Sequence, residues 1–224
     1  VDDLKFVLYE LVDLEGIRAM PGYEEATSDV VDAVLNEAGK LASEVLAPLN
    51  RRGDVEAPTV KDGVVTTSTE WRAAYQKFAE GGWTALIFDP EYGGQGLPRV
   101  LAVAVQEMWD AANMSFGLCP LLTNSAAEAI SLQGSEEQKR IYLTKLVSGE
   151  WAGTMNLTEP QAGSDLSAIR ASAIPTDDDG HYLLSGQKIY ITYGEHDLTS
   201  NIVHLVLART PDAPEGVKGI SLFI

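Results

Sequence analysis

The feature that most constrains this chain is a change of hydrophobic period near residue 150. Ahead of it, apolar residues recur every three or four positions; behind it they come in short β-branched runs between turn clusters. The first pattern is the stripe of an amphipathic helix and the second that of a strand. Between Ser28 and Asn50, Val30, Val31, Val34, Leu35, Ala38, Leu41, Ala42, Val45 and Leu46 form one such stripe, and Pro48 marks its expected end. Asp62-Gly63 between short β-branched runs predicts a hairpin or loop over residues 59–67. Further helices are expected over residues 69–80, 97–114 and 122–132. The next has a clear start signal, because Ser135 and Gln138 make a capping box and Glu136 and Glu137 suit the positive end of the helix dipole. It is expected to end at Ser148-Gly149. Each helix is too short to be stable alone, so the group must pack as a bundle.

After Glu150 the β-rich runs cover residues 151–158, 169–175, 181–192 and 202–209. Turn clusters at 159–163, 177–180 and 211–216 separate them. Such spacing predicts an antiparallel sheet and not βαβ units. The expected fold class is α+β and multidomain: an N-terminal all-α helical bundle over residues 1–150, then an antiparallel β domain over residues 151–224. The final run, Gly219-Ile220-Ser221-Leu222-Phe223-Ile224, is strand-like and stops without a polar cap or turn. An unpaired apolar strand is an aggregation liability, so the run is either a buried edge strand tied into the sheet or the mark of a chain cut inside a larger protein; the second is the expectation, with the β domain incomplete. No internal repeat is visible.

Composition narrows the partners. Lys and Arg number 16 against 33 Asp and Glu, a formal net charge of −17, which argues against nucleic acid as a partner, since that affinity rests on clustered cations. The single cysteine, Cys119, excludes an intrachain disulfide and any multi-cysteine zinc site. No apolar run approaches the length of a membrane span, and Val1-Asp2-Asp3 lacks a signal-peptide profile. The expectation is a cytoplasmic, acidic protein.

His181, His196 and His204 have no metal-ligand spacing, and His204 reads as a satisfied sheet residue. Asp177-Asp178-Asp179 reads as a solvated turn, lacking the alternating ligands of a calcium loop. Tyr92-Gly93-Gly94-Gln95-Gly96 lacks the context of a nucleotide-binding loop and reads as a turn. More informative is Met155-Asn156-Leu157-Thr158-Glu159-Pro160-Gln161-Ala162-Gly163-Ser164-Asp165, a strand running into a turn of small residues. Backbone N–H groups at Ala162, Gly163 and Ser164 could approach an anion closely; an ordinary turn fits the local chemistry equally well. In Ser185-Gly186-Gln187-Lys188-Ile189-Tyr190-Ile191-Thr192, strand alternation would set Tyr190 and Thr192 on one face and Ile189 and Ile191 on the other. That face suits a planar, hydrogen-bonding heterocycle, and a solvent-facing pair fits as well.

Together these segments resemble the acyl-CoA dehydrogenase flavoprotein family. Leu157-Thr158-Glu159-Pro160 through Ala162-Gly163-Ser164-Asp165 is similar to its first motif, and Ser185-Gly186-Gln187-Lys188 through Ile191-Thr192 to its second. Tyr92-Gly93-Gly94-Gln95-Gly96 and Gly149-Glu150-Trp151-Ala152 match further habitual positions. Glu44-Val45-Leu46-Ala47-Pro48-Leu49-Asn50-Arg51 and Gly194-Glu195-His196-Asp197-Leu198-Thr199-Ser200-Asn201 resemble the larger members, the 3-methylmercaptopropionyl-CoA dehydrogenases among them.

The resemblance implies a helical domain, a middle β domain and a C-terminal helical bundle, the last absent here. It implies FAD between the β domain and that bundle. Leu157 and Thr158 would face the pyrimidine side of the flavin, with Thr192 at the N5 side. Gly163 would be among the cofactor-binding residues, and Ser164 would lie at the pyrophosphate and the acyl-CoA substrate. Tyr190 stands where many members carry Trp, and Met155 where an aromatic is frequent, both at the flavin. The implied reaction is α,β-dehydrogenation of an acyl-CoA thioester, with electrons leaving to an electron-transfer flavoprotein. The full-length assembly would be a homodimer or homotetramer. No catalytic residue is assigned in this chain, because the family's glutamate base is expected beyond Ile224. An acyl-CoA oxidase and a non-catalytic binding relative are the alternatives, and the segment alone is expected to bind flavin poorly.

Overall fold

The computed structural model describes residues 1–178 and 180–224. Two short helices, α1 (Asp2–Phe6) and α2 (Leu14–Arg18), precede the first long one. Thr27 caps α3 (Ser28–Lys40), its hydroxyl accepting the Val30 N–H at 3.4 Å. Pro48 does not end this helix. A π-helical stretch, Leu41–Leu46, carries it into α4 (Ala47–Val55), where Pro48 occupies the first turn and its missing N–H costs little. The Leu46 carbonyl, at the end of the widened stretch, accepts from the Asn113 side-chain amide at 3.2 Å.

The expected hairpin is present: β1 (Thr59–Lys61) pairs antiparallel with β2 (Val64–Thr66) across Asp62-Gly63. Ser68 caps α5 (Thr69–Glu80) by accepting the Trp71 N–H at 3.2 Å. The helices expected over 97–114 and 122–132 form one element, α6 (Arg99–Gln133), kinked at Asn113 where φ is −161° and ψ 86°. Asn113 Oδ1 accepts the Phe116 N–H at 3.1 Å, which is the geometry of an N-cap. The second half therefore starts just after Asn113 and passes through Pro120. The capping box opens α7 (Glu136–Val147), with Ser135 Oγ accepting from Gln138 N–H and Gln138 Oε1 accepting from Ser135 N–H.

An aromatic cluster holds the helices together. Phe78 packs edge-on to Trp109 with ring centres 4.6 Å apart and to Phe116 at 5.5 Å, and Trp83 meets Trp109 at 5.6 Å. Such pairs add about 0.5–1.5 kcal/mol each beyond the area they bury.

The helical layer passes directly into the sheet. Strand β3 (Trp151–Asn156) follows α7 and lies against α6 so closely that a Cβ on Gly153 would sit 2.6 Å from that of Ala126. Thr123 Oγ1 accepts the Gly153 N–H at 3.1 Å and donates to the Cys119 carbonyl. Then come β4 (Ser172–Pro175), β5 (Tyr182–Ser185), β6 (Asn201–Ala208) and β7 (Ser221–Phe223). The three-stranded sheet has the order β3-β6-β7, and β4 pairs antiparallel with β5. The helix-then-sheet class is as expected, but the antiparallel expectation is corrected in the central pair. β3 and β6 run parallel, Trp151 opposite Asn201 and Asn156 opposite Val206, so the sheet is mixed. The long connection between them allows a crossover, which a hairpin would forbid.

Phe78 is fully buried at the centre of the cluster. Phe78→Ala is expected to lower stability by about 3–5 kcal/mol, measured by equilibrium urea unfolding; a loss below about 1 kcal/mol would contradict this packing.

Candidate functional site

The two segments set apart by their sequence meet at one buried carboxylate. Glu159 is 4% exposed and lies in the turn that follows β3. Its Oε1 accepts from Lys188 Nζ at 2.9 Å and from the Ala171 N–H at 3.0 Å. Its Oε2 accepts from the Arg170 N–H at 2.8 Å and from Gln161 Nε2 at 2.6 Å. Burial alone would raise its pKa. Lys188, the two backbone N–H groups and Gln161 outweigh burial and bring it down to about 2.

Lys188 reaches further, donating from Nζ to the Leu157 carbonyl at 2.9 Å. The adjacent Ile189 N–H donates to the Thr158 carbonyl at 2.9 Å. The turn closes on itself, since Glu159 N–H donates to the Ala162 carbonyl at 2.8 Å and Ala162 N–H returns to the Glu159 carbonyl at 3.0 Å. A Cβ on Gly186 would come within 2.8 Å of the Ala171 Cβ, so the second segment starts close against the chain that leads into β4.

Residues 186–192 do not form the strand that alternation predicts. Lys188 turns in to Glu159, and the Ile189 N–H goes to Thr158 rather than to a sheet ladder. Tyr190 takes φ +57° and Tyr193 φ +53°, a left-handed conformation that costs a non-glycine residue about 1–2 kcal/mol. The consequence is that Tyr190 stands 89% exposed, while Thr192 is partly buried. Met155, Leu157 and Thr158 are also partly buried, and Gly163 and Ser164 are exposed. The structure thus brings Leu157 and Thr158 against the segment that carries Tyr190, through the Lys188–Leu157 and Ile189–Thr158 bonds, with Gly163 and Ser164 just after the turn that Glu159 and Ala162 close. Thr192 follows two residues beyond Tyr190.

Sequence reasoning quoted Glu159 and Lys188 within the motifs and assigned them no role. An acid near the start of one motif and a lone base in the other was the available signal. It also passed over two further anchors. Asp197 accepts from Thr67 N–H at 3.0 Å, from Thr67 Oγ1 at 2.6 Å and from Arg72 Nη1 at 2.6 Å, while Tyr193 donates to the Ser115 carbonyl at 2.6 Å. These tie the segment after Thr192 to the helical layer. Arg209 at the end of β6 donates to the carbonyls of Ser167, Ile169, Pro214 and Gly216, pinning the chain that leads to Arg170.

The remaining candidates carry no site. His204 Nδ1 lies 2.7 Å from Thr154 Oγ1, as a satisfied sheet residue should. His196 Nδ1 accepts the Leu198 N–H, and burial holds its pKa down. Burial pushes the Cys119 thiol up to about 12, so it is not a nucleophile. Gly94 N–H donates to the Asp89 carbonyl, as a turn requires. Asp177 and Asp178 are exposed beside Thr176, and Asp179 lies outside the described residues. Among the described residues no cluster of three His, Cys, Asp or Glu side chains could hold a metal, and no helix is long and apolar enough to cross a membrane.

Comparison with known proteins bears on both layers. The profile described as acyl-CoA dehydrogenase, N-terminal domain, matches residues 29–150, and that of the middle domain matches residues 154–224. The chain belongs to the acyl-CoA dehydrogenase family. A 3-methylmercaptopropionyl-CoA dehydrogenase from Ruegeria pomeroyi is 51% identical over 224 residues, covering 100% of this chain and 38% of the relative. The chain thus spans well under half the length of that curated relative. Butyryl-CoA dehydrogenase from Megasphaera elsdenii superposes with a TM-score of 0.73 at 28% identity, covering 88% of this chain and 48% of the other. An acyl-CoA dehydrogenase complexed with FAD from Bacillus anthracis gives 0.69 at 25% identity, over 89% and 31%. Within this family member, the middle-domain match contains both segments joined at Glu159.

The depressed pKa of Glu159 has a pH consequence. A carboxyl of about 4.5 when unfolded and about 2 when folded contributes stability above the first value and loses it as pH falls towards the second. The stability gap between the wild type and Glu159→Gln is therefore expected to narrow from about pH 4.5 to about pH 2. Urea unfolding across that range checks it; a gap of constant size would contradict it.

Proposed function

We propose that the whole protein is an FAD-dependent acyl-CoA dehydrogenase, converting an acyl-CoA thioester to its 2-enoyl-CoA. In this reading residues 1–150 form the helical domain and residues 151–224 part of the β domain. The observation that carries it is the joining of the two motif segments at Glu159 and Lys188, which assembles one edge from residues distant in sequence. The donor set fits the cofactor. Tyr190 offers an exposed aromatic ring, Thr158, Ser164 and Thr192 offer hydroxyls, and among the described residues a Cβ on Gly163 would meet nothing within 4 Å, so the backbone there is open to approach.

Leu157 and Thr158 would hold the pyrimidine side of the flavin, Thr192 the N5 side, and Tyr190 and Met155 the ring. Gly163 and Ser164 would hold the pyrophosphate, with Ser164 also at the substrate. When bound, FAD supplies the hydride acceptor that no side chain can provide. This chain's own contribution is orientation: fixed backbone groups and hydroxyls that need no rearrangement during the reaction. The base that removes the α proton is a glutamate expected beyond Ile224, and no residue of this chain is assigned to it. The Ruegeria pomeroyi relative is named for 3-methylmercaptopropionyl-CoA, which makes a short thioether-bearing acyl-CoA the first substrate to test. An electron-transfer flavoprotein is the proposed acceptor and a homodimer or homotetramer the proposed assembly.

The test uses the full-length protein purified without denaturant. It is expected to carry flavin absorbance that bleaches when acyl-CoA is added without oxygen, and to pass electrons to an added acceptor. A flavin-free preparation that takes up no FAD would overturn the reading. Hydrogen peroxide formed in step with turnover in air would move the protein to the oxidase class.

A further inference from the structure

We infer that Lys188, held by Glu159, is a positioning residue that tunes the bound flavin through the Leu157–Thr158 peptide. This rests on the flavin reading above. Both side chains are withdrawn from water, Lys188 being 12% and Glu159 3% exposed. An ammonium and a carboxylate taken out of water cost more than they return unless every donor is used, and a buried ion pair is a poor device for stability alone. Here the carboxylate accepts four hydrogen bonds, two of the three ammonium protons have protein acceptors, and the pair is aimed. Lys188 Nζ lies 2.9 Å from Glu159 Oε1 and 2.9 Å from the Leu157 carbonyl oxygen.

That second contact is the informative one. The peptide unit is planar and trans, so the Thr158 N–H points opposite to the Leu157 carbonyl. A cation on the carbonyl draws electron density along the unit and makes that N–H a stronger donor. The peptide cannot turn over, because the next carbonyl, of Thr158, is engaged by Ile189 N–H at 2.9 Å. Glu159 keeps the ammonium in place and is itself held by the N–H groups of Arg170 and Ala171. The result is a sharpened, immobile donor beside the Thr158 hydroxyl. Such a donor favours the flavin in its electron-rich, reduced form over its oxidised form, and so raises the tendency of the cofactor to accept hydride.

The experiment compares full-length wild type, Lys188→Met, Lys188→Arg and the neutral pair Glu159→Gln with Lys188→Gln. The neutral pair leaves no unpaired charge in the interior, so it remains measurable if Lys188→Met fails to fold. FAD affinity is measured by titration of the apoprotein, and the flavin midpoint potential by equilibration with a reference dye. Lys188→Met and the neutral pair are expected to bind FAD about two- to fourfold more weakly, the scale of a partial weakening of one hydrogen bond by loss of its polarising cation, and to have a lower midpoint potential. Lys188→Arg is expected to restore both. Wild-type affinity and potential in the neutral pair, whatever its melting temperature, would overturn the inference and leave the flavin reading standing. A wild type that takes up no FAD would overturn both before any variant is compared.

Discussion

A carboxylate removed from water must find a donor for each lone pair it presents, and Glu159 meets that demand by drawing three stretches of chain together. Lys188 comes from the second motif, Arg170 and Ala171 from the approach to β4, and Gln161 from its own turn. None of these stretches lies in a named helix or strand at the point of contact, and only isolated backbone bonds, such as Ile189 N–H to the Thr158 carbonyl and Arg209 N–H to the Ala171 carbonyl, support the carboxylate in holding them. The shape of the site edge follows from satisfying one ionised group. Its cost is met only because all of the partners arrive together.

The segment that carries Tyr190 and Thr192 is held at both ends. At one end Lys188 and Ile189 are bound to Glu159, Leu157 and Thr158. At the other, Tyr193 is bound to Ser115, and Asp197 to Thr67 and Arg72 of the helical layer. The aromatic cluster of Phe78, Trp109 and Phe116 gives that layer a fixed reference, and Gly153 lets β3 lie against α6. With both ends fixed, the strained left-handed conformations at Tyr190 and Tyr193 are retained, and the Tyr190 ring stays turned outward. The two layers therefore define the site edge jointly, although the motif residues lie in the second layer only.

Local rules made much of this legible in the sequence. The capping box at Ser135 and Gln138, the Asp62-Gly63 turn and the helix over residues 69–80 each depend on neighbours a few positions away, and each formed as read. What escaped was decided at a distance. Pro48 was tolerated because the π-helical stretch ahead of it reset the hydrogen-bond register. The break in α6 fell at Asn113, whose side chain caps the second half and reaches Leu46 at the same time. The parallel pairing of β3 with β6 reflects a crossover that strand spacing does not encode. Strand alternation failed over residues 186–192 because the Lys188 side chain is worth more to Glu159 than to a solvent face. The motif residues were found in the sequence; the ion pair that organises them was visible only as one acid and one base without a stated purpose.

The central claim is that the joint at Glu159 and Lys188 presents the Leu157–Thr158 peptide to a flavin. A crystal structure of the full-length protein with FAD tests it most directly. The account predicts the pyrimidine ring of the flavin within hydrogen-bonding distance of the Thr158 N–H, with Lys188 Nζ still on both the Leu157 carbonyl and Glu159. A flavin seated away from Thr158, or a Lys188 side chain released from Leu157 in the holoprotein, would contradict it.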